Sequence, residues 1–74
     1  VTQMEQKELS RTIRQLILLL PEEQREVLIL RHYADMSFKD IAKSMNSNLS
    51  TTLGRMRYAL INLRKMIEAN KVEV

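Results

Sequence analysis

The sequence contains no cysteine and no tryptophan, and it uses glycine and proline once each. Without cysteine the chain cannot form a disulfide bond, a thiolate metal site or a cysteine nucleophile. The single histidine, His32, cannot build a metal site alone. The longest apolar run, Leu16 to Leu20, is far shorter than the roughly 20 residues that a membrane-spanning helix needs. No signal-peptide pattern is visible, so we expect a cytoplasmic protein. Because cysteine is absent and histidine occurs once, we expect no metal and no cofactor.

Acidic residues are also missing from a long stretch, because none occurs between Asp40 and Glu68. Residues 1–40 hold six basic and seven acidic residues, whereas residues 41–74 hold six basic and two acidic residues. The net charge is therefore −1 in the first segment and +4 in the second, which agrees with the +3 of the whole chain. A cationic second half favours a polyanionic partner, and an ordinary solvated basic surface is the alternative interpretation.

Apolar residues recur at helical spacing and strand patterns are nearly absent, so the sequence predicts an all-α fold with four helices in a single domain, residues 1–74. The first helix is predicted from about Gln3 to Leu19. Pro21 opens the second helix, since proline suits the first helical turn, and this helix is predicted to end near Ala34. The predicted apolar contact positions of these two helices are Leu9, Ile13, Leu16, Ile17, Leu20, Val27, Leu28, Leu30 and Tyr33.

The third and fourth helices have clear start and stop signals. Ser37 is a predicted N-cap, and a short helix follows from Phe38 to Met45. Two asparagines then separate the helices: Asn46 suits a left-handed turn position, and Asn48 suits the N-cap of a last helix from Leu49 to Asn70. A short capped helix, a tight turn and a second capped helix describe a helix-turn-helix, whose second helix enters the major groove of DNA.

The last helix is predicted to have an apolar face and a polar face. The apolar face carries Leu49, Thr52, Met56, Leu60, Leu63 and Ile67, with Ala59 beside them. In the first turn of the polar face, Ser50 and Thr51 can donate and accept hydrogen bonds. The cationic side chains that can neutralise phosphates, or reach a guanine with two hydrogen bonds, are Arg55, Arg57, Arg64 and Lys65.

Gly54 lies inside the last helix, where glycine costs roughly 1 kcal/mol relative to alanine. Positions 50, 54, 57 and 61 follow one stripe of the helix, so a Ser50 that points into a DNA groove places Gly54 there as well. A residue without a side chain lets the helix backbone approach the DNA closely. Two alternatives stay open at this point: Gly54 allows close packing of helices inside the domain, or it is a tolerated neutral residue.

The segment LPEEQREVLILRHYADMSFKDIAKSMNSNLSTTLGRMRYALINLRK, from Leu20 to Lys65, resembles region 4 of the sigma-70 family of bacterial RNA polymerase sigma factors. The order and spacing of LPEEQREVLILR, MSFKDIA, Thr51 and GRMRYAL carry the resemblance, which is nearest to the extracytoplasmic-function (ECF) type. The resemblance implies a winged-helix-like, four-helix domain whose C-terminal helix-turn-helix binds double-stranded promoter DNA at the minus-35 element. It also implies docking on core RNA polymerase at the β-subunit flap, and control by an anti-sigma factor.

Carried over by position, the resemblance implies DNA contacts along the first turns of the last helix. Arg55 matches an arginine that ECF members commonly carry, and Arg31 and Lys39 match positions near the DNA backbone. The complete set of predicted DNA-binding residues is Leu49, Ser50, Thr51, Leu53, Gly54, Arg55, Arg57, Tyr58, Arg31, Lys39, Arg64 and Lys65.

The sequence departs from the ECF pattern at several of these positions. Many ECF members have a basic residue in place of Leu53, a serine in place of Gly54 and an arginine in place of Tyr58, so the base preference does not transfer. Two other functions are therefore kept: another helix-turn-helix regulator, such as a LuxR-type DNA-binding domain, or a protein-interaction module that binds only an anti-sigma factor or polymerase. No pair of acid, base or nucleophile stands out, so we do not expect an enzyme.

Overall fold

A computed structural model describes residues 11–69, which contain four helices and no strand. Helix α1 covers residues 11–17, α2 is Glu22–His32, α3 is Phe38–Ser44 and α4 is Leu49–Ala69. The predicted all-α class and the order of the helices are confirmed. The predicted helix at residues 3–10, the core position Leu9 and the predicted end at Asn70 lie outside the described residues. Within those residues, no helix combines the length and the apolar character that crossing a bilayer requires.

Helix α1 ends at Ile17, two residues before its predicted end at Leu19. The Leu19 N–H donates to the Leu16 carbonyl at 3.0 Å, and the Leu20 N–H donates to the Ile17 carbonyl at 3.1 Å. These bonds span three residues and tighten the end of the helix. Leu20 directly precedes Pro21, and a residue in that place disfavours the α conformation, so the helix does not continue into α2.

Both helices of the helix-turn-helix begin at side-chain caps. At the start of α3, the Ser37 hydroxyl oxygen accepts a hydrogen bond from the Asp40 backbone N–H at 3.1 Å. At the start of α4, the Asn48 side-chain oxygen accepts one from the Thr51 N–H at 2.7 Å. Both predicted N-caps are therefore confirmed, and a cap of this kind stabilises its helix by about 1 kcal/mol.

The turn between α3 and α4 depends on Asn46, whose φ of 54° lies in the left-handed region, as predicted. The Asn46 N–H donates to the Lys43 carbonyl at 3.2 Å, and the Ser47 N–H donates to the Ala42 carbonyl at 2.7 Å. This pair of bonds is the Schellman arrangement that closes a helix with a left-handed residue. The turn therefore sets the direction in which α4 leaves α3.

The core lies where α1, α2 and α4 meet, and α3 packs against α2 and α4. Thr52 is the one buried polar residue of the described part, and its hydroxyl donates to the Asn48 carbonyl at 2.9 Å, so it is satisfied. Among the described residues, the buried side chains are Leu16, Ile17, Leu20, Val27, Leu28, Ile41, Ala42, Thr52 and Ala59.

The apolar faces predicted from periodicity are wider than the core. The prediction of Tyr33 as an apolar contact was wrong, because this side chain is exposed. Leu49, Leu60 and Ile67 are also exposed, although they share the predicted apolar face of α4 with partly buried methionine and leucine side chains. Within residues 11–69 the other helices cover the side of the 21-residue α4 that carries Thr52 and Ala59. The adjacent side, which carries Leu49, Leu60 and Ile67, has little to pack against.

Candidate nucleic-acid interface

The outward surface of α4 is the side opposite its buried residues. Its two buried side chains, Thr52 and Ala59, face the core. Helical periodicity then places Ser50, Gly54 and Arg57 on the opposite side, where Ser50 and Arg57 are exposed and Gly54 is half-buried. The predicted site residues of α4 that are exposed are Leu49, Ser50, Thr51, Leu53, Arg57, Tyr58, Arg64 and Lys65.

Gly54 has no packing role within residues 11–69. A Cβ atom built on it would meet no heavy atom within 4 Å beyond its neighbours and the local helix backbone. Its φ is not positive, so the backbone does not require glycine either. Close packing of helices is therefore excluded as the reason for this residue. The domain carries the roughly 1 kcal/mol helix penalty at Gly54 without any internal contact that depends on it.

Arg55 lies on a different side of α4 from Arg57 and is engaged within the fold. Its Nη2 atom is 3.0 Å from the Oε2 atom of Glu23 in α2, and the arginine side chain is 22% exposed. Two turns along α4, the Asn62 amide donates to the Gln24 side-chain oxygen at 2.8 Å. These two bonds join α2 to α4. The predicted contact between Arg55 and DNA would have to compete with Glu23 for the guanidinium group.

Arg31 is likewise tied to the fold at the end of α2. Its Nη1 atom donates to the Met36 carbonyl at 2.9 Å, and its guanidinium carbon lies 4.8 Å from the centre of the Phe38 ring. At this distance the cation is attracted to the face of the ring. Arg31 therefore holds the loop that enters α3, a role that the sequence analysis did not predict.

The remaining predicted cations are exposed. Arg57, Arg64 and Lys65 form no ion pair within residues 11–69, and neither does Lys39 on α3. Lys43, which the sequence analysis missed, is also exposed and follows Lys39 by four residues, so both lie on the outward face of α3. This four-residue spacing of two lysines was the sequence signal that could have identified Lys43. The outward faces of α3 and α4 together carry more positive than negative side chains.

The sequence matches a known protein family, and the match ends before most of the site residues of α4. The sequence matches the family described as "Sigma-70, region 4" over residues 10–52, more than half of its 74 residues. A search of curated proteins finds no match. The family match includes α1 to α3, the caps at Ser37 and Asn48 and the first turn of α4, and it ends before Leu53. The chain belongs to the sigma-70 region 4 family.

Proposed function

We propose that this chain is the promoter-binding domain of an ECF-type sigma factor, which recognises the minus-35 element with α4. In sigma factors, region 4 binds this promoter element, and the family binds RNA polymerase as well. The observation that carries the proposal is the outward side of α4, where Ser50, Gly54 and Arg57 lie opposite the buried Thr52 and Ala59. A helix with a free polar and cationic side, placed after a short capped helix, is the arrangement that enters a major groove.

The glycine supports the same proposal. Neither packing within residues 11–69 nor the backbone conformation requires a glycine at position 54. Gly54 therefore either serves a contact outside the domain or is a neutral residue. A helix position without a side chain, between Ser50 and Arg57 on the outward stripe, allows close approach of the helix backbone to a duplex. Close approach brings Ser50 and Arg57 within reach of the base edges.

Affinity for duplex DNA is expected to fall with salt. If Lys39, Arg64 and Lys65 each neutralise one phosphate, the plot of log K against log salt has a slope of about −3. Arg64→Ala should reduce the steepness by about one unit, whereas Arg14→Ala, on the exposed side of α1, should leave it unchanged. Fluorescence anisotropy with a random duplex of about 20 bp measures both slopes. A slope near zero, or no binding, would favour the protein-interaction alternative that the exposed Leu53 and Tyr58 support.

Arg57 is expected to contact bases. We predict that Arg57→Ala weakens binding to a duplex selected from a random pool by about 1–3 kcal/mol, and that it relaxes the preference at one base pair. A low-salt mobility-shift assay, with Arg14→Ala as the control for loss of one positive charge, measures the effect. Unchanged affinity and unchanged base preference in the Arg57 variant would remove this residue from the reading surface.

We also propose that the domain docks on the β-subunit flap of core RNA polymerase and is controlled by an anti-sigma factor. Leu18 and Leu19, in the turn after α1, support a protein partner because both are largely exposed although they are adjacent and apolar. Large apolar side chains that a domain leaves exposed together are typical of protein-binding surfaces.

A further inference from the structure

Two polar contacts join the first turn of α2 to the middle of α4. The Glu23 carboxylate accepts a hydrogen bond from the Arg55 guanidinium at 3.0 Å, and the Gln24 side-chain oxygen accepts one from the Asn62 amide at 2.8 Å. We call these two contacts the α2–α4 clamp. Because Arg55 and Asn62 are seven residues apart, the clamp holds α4 at two points about 10 Å apart along its axis. A helix held at one point can pivot there, whereas two separated contacts fix its direction.

The clamp brackets the buried contact between α2 and α4. Ala59 lies between the two clamp positions of α4, is fully buried, and shares the core cluster with Leu28 of α2. Residues at intervals of four and three lie on one side of a helix, so Arg55, Ala59 and Asn62 form one row on the side that faces α2. The clamp therefore limits rotation of the two helices about their buried contact at Ala59.

Arg55 lies away from the outward side of α4. Successive residues of an α-helix are about 100° apart, which places Arg55 about 160° from Arg57 around the helix axis. The Arg55 side chain is 22% exposed, whereas Arg57 is exposed. A phosphate that approached Arg55 would also meet the Glu23 carboxylate, and like charges at an interface disfavour a complex. The position of Arg55 therefore favours a contact inside the fold over a contact with DNA.

Glu23 is placed to hold a cation at this point. It lies in the first turn of α2, where the helix dipole favours a carboxylate. Its side chain is 69% exposed, and an ion pair with an exposed partner adds little to the free energy of folding. The contribution of the pair is therefore geometric, because Glu23 and Gln24 reach their partners together only when α4 has one direction.

We propose that the α2–α4 clamp sets the direction of α4, and that Arg55 is a positioning residue that acts through α4 and does not contact DNA. The consequence for DNA binding rests on the proposed function, in which Ser50 and Arg57 reach the base edges together. The turn at Asn46 holds the start of α4, and the clamp holds its middle. Side chains of a binding site need to be held to within about 0.5 Å, and the rigid support of the helix provides this.

Exchange of the two charges tests whether Arg55 acts through Glu23. Arg55→Glu places a carboxylate opposite Glu23, and it should weaken binding to a duplex selected from a random pool by about tenfold or more. Adding Glu23→Arg rebuilds the ion pair in the reverse direction, and the affinity should return to within about threefold of the unaltered chain. A low-salt mobility-shift assay measures both variants.

The matched control combines Arg55→Glu with Glu22→Arg. Glu22 is exposed, lies in the same first turn of α2 and forms no ion pair within residues 11–69. This double variant has the same net charge as the reversed pair and loses the same kind of charge at the start of α2, but it leaves a carboxylate facing Glu23. Its DNA affinity should therefore stay as low as that of Arg55→Glu alone.

Two outcomes of this comparison would overturn the proposal. If both double variants stayed weak, DNA binding would need a positive charge at position 55 itself, as expected for a phosphate contact. If both double variants recovered, net charge alone would explain the loss, and the partnership between Arg55 and Glu23 would have no role in DNA binding.

Urea unfolding without DNA tests the clamp independently of the proposed function. The unfolding equilibrium constant of the reversed pair should be about twofold to fivefold smaller than that of the Glu22→Arg control, as expected for one partly exposed ion pair. Equal constants would overturn the clamp. If the unaltered chain bound no duplex, the proposed function would fail, and the urea comparison would still decide whether the clamp exists.

The uncharged contact of the clamp has its own test. Gln24→Ala and Asn62→Ala each leave the net charge unchanged, and each should weaken DNA binding while keeping the helical circular dichroism. The double variant should bind as the weaker single variant does, because both substitutions remove the same hydrogen bond. Additive losses, or unchanged affinity in all three variants, would show that this contact does not position α4 and would overturn the two-point clamp.

Discussion

Gly54→Glu is expected to abolish binding of the domain to duplex DNA while leaving the helix content intact. The outward stripe of α4 has open space at this position, so the new side chain fits the folded domain. In the proposed complex it would instead point at the DNA, where a carboxylate meets phosphate charge and occupies the space of closest approach. Like charges placed together at an interface cost several kcal/mol, so we expect a loss of about 100-fold or more in a mobility-shift assay.

Three companion variants separate the causes. Gly54→Gln adds the same bulk without the charge, and it should lie between the unaltered chain and Gly54→Glu. Gln15→Glu adds one negative charge on the exposed side of α1 and should bind nearly normally. Gly54→Ala should raise the free energy of unfolding by about 0.5–1 kcal/mol, because alanine is the better helix former. Normal DNA affinity in Gly54→Glu would place this position outside the DNA contact.

The largest effect on stability is expected at Ile41, a fully buried side chain of α3. Ile41→Ala should lower the free energy of unfolding by about 2–5 kcal/mol, because it removes buried methyl groups and leaves a cavity. A domain of this length has a total stability of about 4–11 kcal/mol, so the variant loses a large fraction of it. Urea unfolding measures the change as a lower midpoint with a similar slope.

A matched substitution on the surface provides the control. Ile61→Ala removes the same atoms from an exposed position of α4 and should lower the unfolding free energy much less than Ile41→Ala does. If the two variants lost equal stability, α3 would not be packed as the structure has it, and the helix-turn-helix would lack its fixed geometry.

Local chemistry explains why the helix-turn-helix was predictable. The two caps, at Ser37 and Asn48, and the left-handed turn at Asn46 each depend on a side chain and its nearest backbone neighbours. The same local reasoning did not identify Asp35, which lies in the loop between α2 and α3 and also has a positive φ, of 57°. Signals of this kind are visible in sequence wherever the atoms that use them are a few residues apart.

Burial was less predictable, because it depends on how many elements are present to cover a face. Periodicity grouped Leu60 and Ile67 with the partly buried Met56 and Leu63, although only the latter two reach the core. The sequence reveals which positions are apolar and which share a helix face. It does not reveal that the neighbouring helices cover only part of that face.

The candidate site shows the same division between local and distant information. Arg55 and Arg57 are both arginines near the start of α4, and both were predicted to contact DNA. They differ in the structure because Glu23, 32 positions before Arg55 in the chain, pairs with Arg55, whereas Arg57 is exposed. Arg31 was similarly assigned by position alone, whereas its contact with Phe38 depends on the path of the loop.

The scarcity of buried positions in α4 has a consequence for substitutions in this helix. Only Thr52 and Ala59 of its 21 side chains are fully enclosed, and the family match stops at the first of them. Substitutions on the outward side of α4 should therefore cost little folding free energy, whereas Met56, Leu63 and Met66 pack against the core. If α4 reads DNA as proposed, substitutions on its outward side would change the preferred promoter sequence at little cost in folding free energy.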